Sequence, residues 1–133
     1  MDNFERSEIV IAKILDNAIE IGIQEWTLQF SNLMLDDEYA PYFYPCLKWL
    51  EAEGIIRVEA YHRTIGDIAG GVVQNISLTS YGLVALGHTI KIGDDTDKMS
   101  EAVKKVSSGE KSYAQVGDFL GGILGGFTKS ISS

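Results

Sequence analysis

The stretch from Pro45 to Leu86 constrains this chain more than any other. Cys46-Leu47-Lys48-Trp49-Leu50-Glu51-Ala52-Glu53-Gly54-Ile55-Ile56 predicts a short helix with apolar teeth at Leu47 and Leu50. The helix stops at Gly54, because glycine takes the left-handed conformation that ends helices without a Cβ clash, and a strand starts at Ile55. Val72-Val73-Gln74-Asn75-Ile76-Ser77-Leu78 then predicts the returning strand of a hairpin. Thr79 or Ser80 follows as the cap of a further helix, Ser80 to about Gly87, with Leu83, Val84 and Leu86 expected in the core.

This order resembles the winged-helix (winged helix-turn-helix) superfamily, where a helix ending in Leu-x-x-x-Gly-Leu-Ile leads into a two-stranded wing and then Leu-Thr-x-x-Gly. Leu50 to Ile56 and Leu78 to Gly82 carry the match here, and the likeness extends over residues 7–90. It implies a mainly α fold with a small β-hairpin, of the α+β class. A winged helix-turn-helix domain would occupy residues 1–93, and a C-terminal helical, glycine-rich extension residues 94–133. The commonest work of that superfamily is dimeric, DNA-binding transcriptional regulation, with its third helix in the major groove.

Charge argues against that work. The chain of 133 residues carries a net charge of −8, and residues 1–60 hold twelve acidic side chains against four basic ones. Residues 61–133 hold seven of each, so the whole excess lies on the half that would face DNA. An acidic field repels phosphate, whereas non-specific DNA affinity comes from lysine and arginine displacing counterions.

Upstream, Ile11, Ile14, Leu15, Ala18 and Gly22 recur at helical spacing and predict a first helix over Ser7–Gly22. Ile9, Val10, Ile19, Ile21 and Ile23 make it apolar over more of its circumference than a two-layer domain needs, so further chain or a partner should cover it. Trp26, Leu28, Phe30, Leu33 and Met34 predict a second helix over residues 26–35, ended by the solvated acidic turn Asp36-Asp37-Glu38. The third helix begins late and is short, since Pro45 suits only a first turn. The positions before it, Ala40 to Tyr44, contain no arginine, lysine, asparagine or glutamine to pair with base edges. The aromatics Tyr39, Tyr42, Phe43 and Tyr44 beside two prolines suit packing or a protein partner. In the wing, Ile56, Val58 and Ala60 are expected inward, alternating with Arg57, Glu59 and Tyr61; on the returning strand Val72, Gln74, Ile76 and Leu78 share a face. Arg63, Lys104 and Lys105 are the candidate nucleic-acid contacts.

Asp94 to Asp97 mark a boundary and the start of a polar helix, Asp97 to Val106, with Met99, Ala102, Val103 and Val106 on one side. Beyond it, Val116, Phe119, Leu120, Ile123, Leu124, Phe127 and Ile131 form an apolar stripe of helical period. Gly117, Gly121 and Gly125 lie beside it, with Gly122 and Gly126 as a second row. Five helical glycines cost about 5 kcal/mol against alanine, which close approach of another helix backbone would offset. The segment therefore predicts docking, on this domain or on a twin in a homo-oligomer, and Gly117, Phe119, Gly121, Ile123, Gly125 and Phe127 join the aromatics as candidate protein-contact residues. Twelve residues interrupted by Asp118 fall short of the roughly 20 needed to span a membrane.

No chemistry-bearing constellation stands out. His62 and His88 lack partners at metal spacing, and neither a Gly-x-Ser-x-Gly elbow nor a phosphate-binding Gly-Lys-Ser/Thr loop occurs. No enzymatic activity, cofactor or metal is expected. Cys46, the single cysteine, is expected as a buried structural thiol. The N-terminal segment, with Asp2, Glu5 and Glu8 and no basic flank, does not resemble a secretory signal, so a cytoplasmic location is expected. The leading expectation is a non-enzymatic winged-helix protein that binds protein or itself; the alternative is a dimeric DNA-binding regulator.

Overall fold

The computed structural model describes residues 2–87, 89–92 and 95–108. Helix α1, Asn3–Ile21, starts four residues earlier than the apolar periodicity predicts, because Asp2 caps it: its Oδ1 accepts from Glu5 N at 2.8 Å. Gly22, at φ 79°, ends it. Val10, Ile14, Leu15 and Ala18 are fully buried, which makes α1 the central pillar of the core.

The predicted second helix over residues 26–35 does not form. Trp26–Leu28 is instead a short strand, β1, followed by a single 3-10 turn at Phe30–Leu33. Trp26, Leu28 and Phe30 alternate with polar residues at period two, and that spacing turns Leu28 into the core beneath the sheet. A second 3-10 stretch, Asp37–Tyr42, leads into helix α2, Phe43–Ala52, which is short and holds Pro45 in its first turn as expected. Leu47 and Leu50 of α2 are fully buried, each stabilising by about 1.5–3 kcal/mol relative to exposure.

Gly54, at φ 78°, turns the chain from α2 into β2, Ile56–Arg63, which pairs antiparallel with β3, Gly71–Leu78. β1 adds to the other edge of β3, giving the sheet order β1-β3-β2. The expected alternation on β3 fails midway. Val73, Ile76 and Leu78 are the buried residues, and the three-residue step from Val73 to Ile76 contains Asn75 at φ 51°. A residue in the left-handed region inserts a bulge, and the β1–β3 register shifts at the same place. On β2 the inward position consequently passes to Tyr61, whose ring packs 6.1 Å from that of Tyr44.

Thr79 locks the hairpin to helix α3, Ser80–Gly87. Its Oγ1 accepts from Gly82 N at 2.8 Å and donates to Gly54 O at 2.5 Å, while its N–H donates to Ile55 O at 3.1 Å. Gly82 lets α3 sit directly on the Ile55 carbonyl, so Gly82, Ala85 and Leu86 face inward. Leu83 and Val84, expected in the core, are 43% and 58% exposed, because this close glycine contact fixes which side of α3 turns inward.

Where a helix start is expected at Asp94–Asp97, strands β4, Thr89–Ile92, and β5, Asp95–Lys98, pair antiparallel, and helix α4, Met99–Ser107, starts only after them. Val103 and Val106 of α4 are buried in the same core as α1. The glycine-rich segment, with Gly117, Phe119, Gly121, Ile123, Gly125 and Phe127, lies outside the described residues.

Candidate functional site

Phe4, Ser7 and Ile11 recur along one side of α1, and Tyr42, Pro45, Cys46 and Trp49 along one side of α2 and its lead-in. These are the i, i+3, i+4, i+7 positions of two helices packed side by side, and between them lies an open groove of about 350 Å³. Its wall is largely apolar, and its hydroxyl and thiol groups are bonded within the chain. Ser7 Oγ donates to Asn3 O at 2.8 Å, Tyr42 Oη donates to Asn3 Oδ1 at 2.6 Å, and Cys46 Sγ donates to Ser7 O at 3.7 Å. Burial pushes the Cys46 thiol up to about 12, so it stays protonated and unreactive, as a structural thiol should. At the groove mouth Phe4 is 70% exposed. Such a surface offers apolar contact and shape, and no acid, base or nucleophile.

Of the four aromatics expected to meet a partner, only Tyr42 reaches this groove. Phe43 and Tyr44 are fully buried and stack edge-to-face at 4.9 Å, with Phe30 against Phe43 at 5.5 Å. Tyr39 is 8% exposed. Their burial makes Tyr39, Phe43 and Tyr44 core residues, which corrects the expectation of a contact surface. Two apolar residues following prolines at the start of a short helix were an interior signal as much as a surface one.

The candidate nucleic-acid contacts lie on two elements, Arg63 at the end of β2 and Lys104 and Lys105 on α4. Arg63 lies over the Tyr44 ring at 4.4 Å, and Tyr44 Oη donates to Gly70 O at 2.7 Å, which ties the end of β2 to the hairpin tip. Lys104 on α4 donates to Asp16 Oδ1 at 3.1 Å and to Glu20 Oε1, and these bonds raise its pKa above the ordinary lysine value. Lys105 is half-buried on the same helix. Lys48, the one cation of α2, stands 4.6 Å over the Tyr61 ring.

Comparison with protein-family models, with curated proteins and with solved structures finds no match.

The groove residues Phe4, Ser7, Ile11, Pro45, Cys46 and Trp49 were not singled out by sequence as contact residues. Their signal was the helical spacing itself, shared by two segments that the fold brings together. Glu8 was also missed: it is 3% exposed, its Oε2 has no hydrogen-bond partner among the described residues, and burial, with the Glu5 charge second, raises its pKa to about 7. Its position three and four residues before Ile11 and Ala12 placed it on the apolar face. Among the described residues no group of three histidine, cysteine or acidic side chains could hold a metal ion, and no helix is long and apolar enough to cross a membrane.

Proposed function

We propose that this chain is a non-enzymatic, intracellular winged-helix protein that works as a protein-interaction or self-association module, docking one apolar face of a helix in the groove between α1 and α2. The open groove carries this reading: an apolar channel with Phe4 70% exposed at its mouth and its own hydroxyl and thiol groups bonded internally favours an apolar occupant. The candidate occupant in this sequence is the stripe Val116–Phe127.

The winged-helix part is supported by the order α1-β1-α2-β2-β3, by the β1-β3-β2 sheet and by the hairpin tip at Thr64–Gly70. The interaction part is supported by what the exposed side of α2 carries: Pro45, Lys48, Ala52 and Glu53, with Lys48 already over Tyr61. Guanine and adenine are read by arginine, asparagine and glutamine, none of which lies there. Fluorescence anisotropy with mixed-sequence duplex DNA across a salt series tests the reading. The expected result is no saturable binding at low salt; saturable binding that weakens steeply as salt rises would overturn it in favour of a regulator.

A further inference from the structure

We propose that two copies of this chain associate edge to edge through β2, antiparallel about a two-fold axis at Val58, so that Arg57 of each copy meets Glu59 of the other. The contact is separate from the groove and does not depend on it. β3 is paired on both sides, by β1 and by β2, whereas β2 pairs with β3 alone. Among the described residues, the outer edge of β2 is therefore an eight-residue row of backbone groups with no strand beside it. Such an edge is a template for a further strand, and its usual protections are missing. β2 contains no proline and no lysine, and its charges are of both signs. β1, at the opposite edge, is only three residues long.

The side chains choose the occupant. Ile56 is buried and Val58 packs against the core, so Arg57 and Glu59 alternate with them on the wet face, where both are exposed. Across the ladder from Arg57 stands Ser77, and among the described residues Arg57 has neither an ion pair nor a hydrogen bond. Glu59 is held in place by Asn75, whose Nδ2 donates to its Oε2 at 2.5 Å, which leaves Oε1 for a second donor. In an antiparallel pair, residues directly opposite share a face, so a symmetric pairing matches faces only when it is centred on a residue. Centred on Val58, it sets Arg57 against Glu59 twice on the wet face, with Val58 on Val58 and Ile56 on Ala60 on the other. Centred on Arg57 or on Glu59, it sets that residue against its own copy, and centred on Ala60 it sets Arg57 against Arg63; like charges directly opposite are destabilising. Centred on Tyr61, it sets Glu59 against Arg63, but Arg63 is turned inward over the Tyr44 ring. Charge thus selects one register, which joins two three-stranded sheets into one of six strands.

Sedimentation velocity of the full-length chain over a concentration series reads the association, and exchanging the charges reads the register. The native chain is expected to show a reversible monomer–dimer equilibrium. Arg57→Glu and Glu59→Arg each place two like-charge pairs across the edge, and each is expected to raise the dimer Kd about tenfold or more. Mixing equal amounts of the two variants restores opposite charges at both contacts, so the mixture is expected to associate as the native chain does. A monomer at every concentration would overturn the proposal, as would a Kd that neither variant moves, or a mixture no tighter than its separate components. Amide hydrogen exchange of the native chain needs no variant: the N–H groups of Ile56–Ala60 that point away from β3 are expected to gain protection as concentration rises, and protection independent of concentration would contradict the pairing. None of these readings involves the groove or DNA, so failure here is distinguishable from failure of the function proposed above.

Discussion

Removing the Thr79 hydroxyl while keeping the side-chain shape, as in Thr79→Val, tests how the hairpin is locked between α2 and α3. The hydroxyl bonds to both sides: it caps α3 by accepting from Gly82 N at 2.8 Å, and it donates to Gly54 O at 2.5 Å, where the chain leaves α2, with Ile55 O a second, longer acceptor at 3.2 Å. Loss of a helix N-cap costs about 1 kcal/mol. Loss of a part-buried hydrogen bond to a carbonyl costs about 1 kcal/mol more. The backbone bond from Thr79 N to Ile55 O, 3.1 Å, is untouched, so the fold persists and the loss is measurable as an equilibrium. The expected destabilisation is about 2 kcal/mol, or roughly 8 °C in Tm for a domain of this size. Thr79→Ser, which keeps the hydroxyl and removes one methyl group, should lose less than about 1 kcal/mol. Urea unfolding with an unchanged slope checks both values. Equal losses in the valine and serine variants would refute the assignment, since the hydroxyl would then contribute nothing.

Glu8 sets a pH dependence. Its folded pKa of about 7 lies above the usual glutamate value, so the native state binds its proton more tightly than the unfolded chain and stability falls as pH rises from about 4.5 through 7. Glu8→Gln should flatten that fall and raise Tm at pH 8, and thermal unfolding between pH 4 and 8 checks it; an unaltered profile would refute it. The two hairpin glycines should separate in a urea titration. Gly71, at φ 96°, would bring a Cβ to 1.9 Å from His62 O, so Gly71→Ala should cost at least about 2 kcal/mol. Gly66, at φ 86° with open space around it, should cost only about 1 kcal/mol for its backbone conformation when replaced by alanine.

The parts of this fold that are legible in the sequence are those where one residue determines the backbone. Gly54 ends α2, Thr79 caps α3, and the paired strands between them follow from β-branched runs. The parts that are not legible depend on tertiary contacts. Trp26 to Leu28 is a strand of only three residues, and its pairing with β3 decides that it is a strand rather than part of a helix. The phase of the hairpin changes at Asn75, a residue whose left-handed conformation no neighbouring residue announces. β4 and β5 contain Asp95 and Asp97, which are poor strand formers and better suited to helix starts. The groove was half legible: each wall has visible helical spacing, but only the packing of α1 on α2 puts Phe4 opposite Trp49's helix. The ion pairs of Lys104 were not legible either, because Asp16 and Glu20, which bind it, lie more than eighty residues earlier.

The central claim, that the groove between α1 and α2 is a docking face, is tested most directly by acrylamide quenching of Trp49. In a Trp26→Phe background Trp49 is the only indole, and it lines the groove. The quenching constant in the full-length chain is predicted to be lower than in a chain ended at Gly109, because removing the apolar stripe uncovers Trp49. Equal constants, with both chains folded by circular dichroism, would contradict the claim.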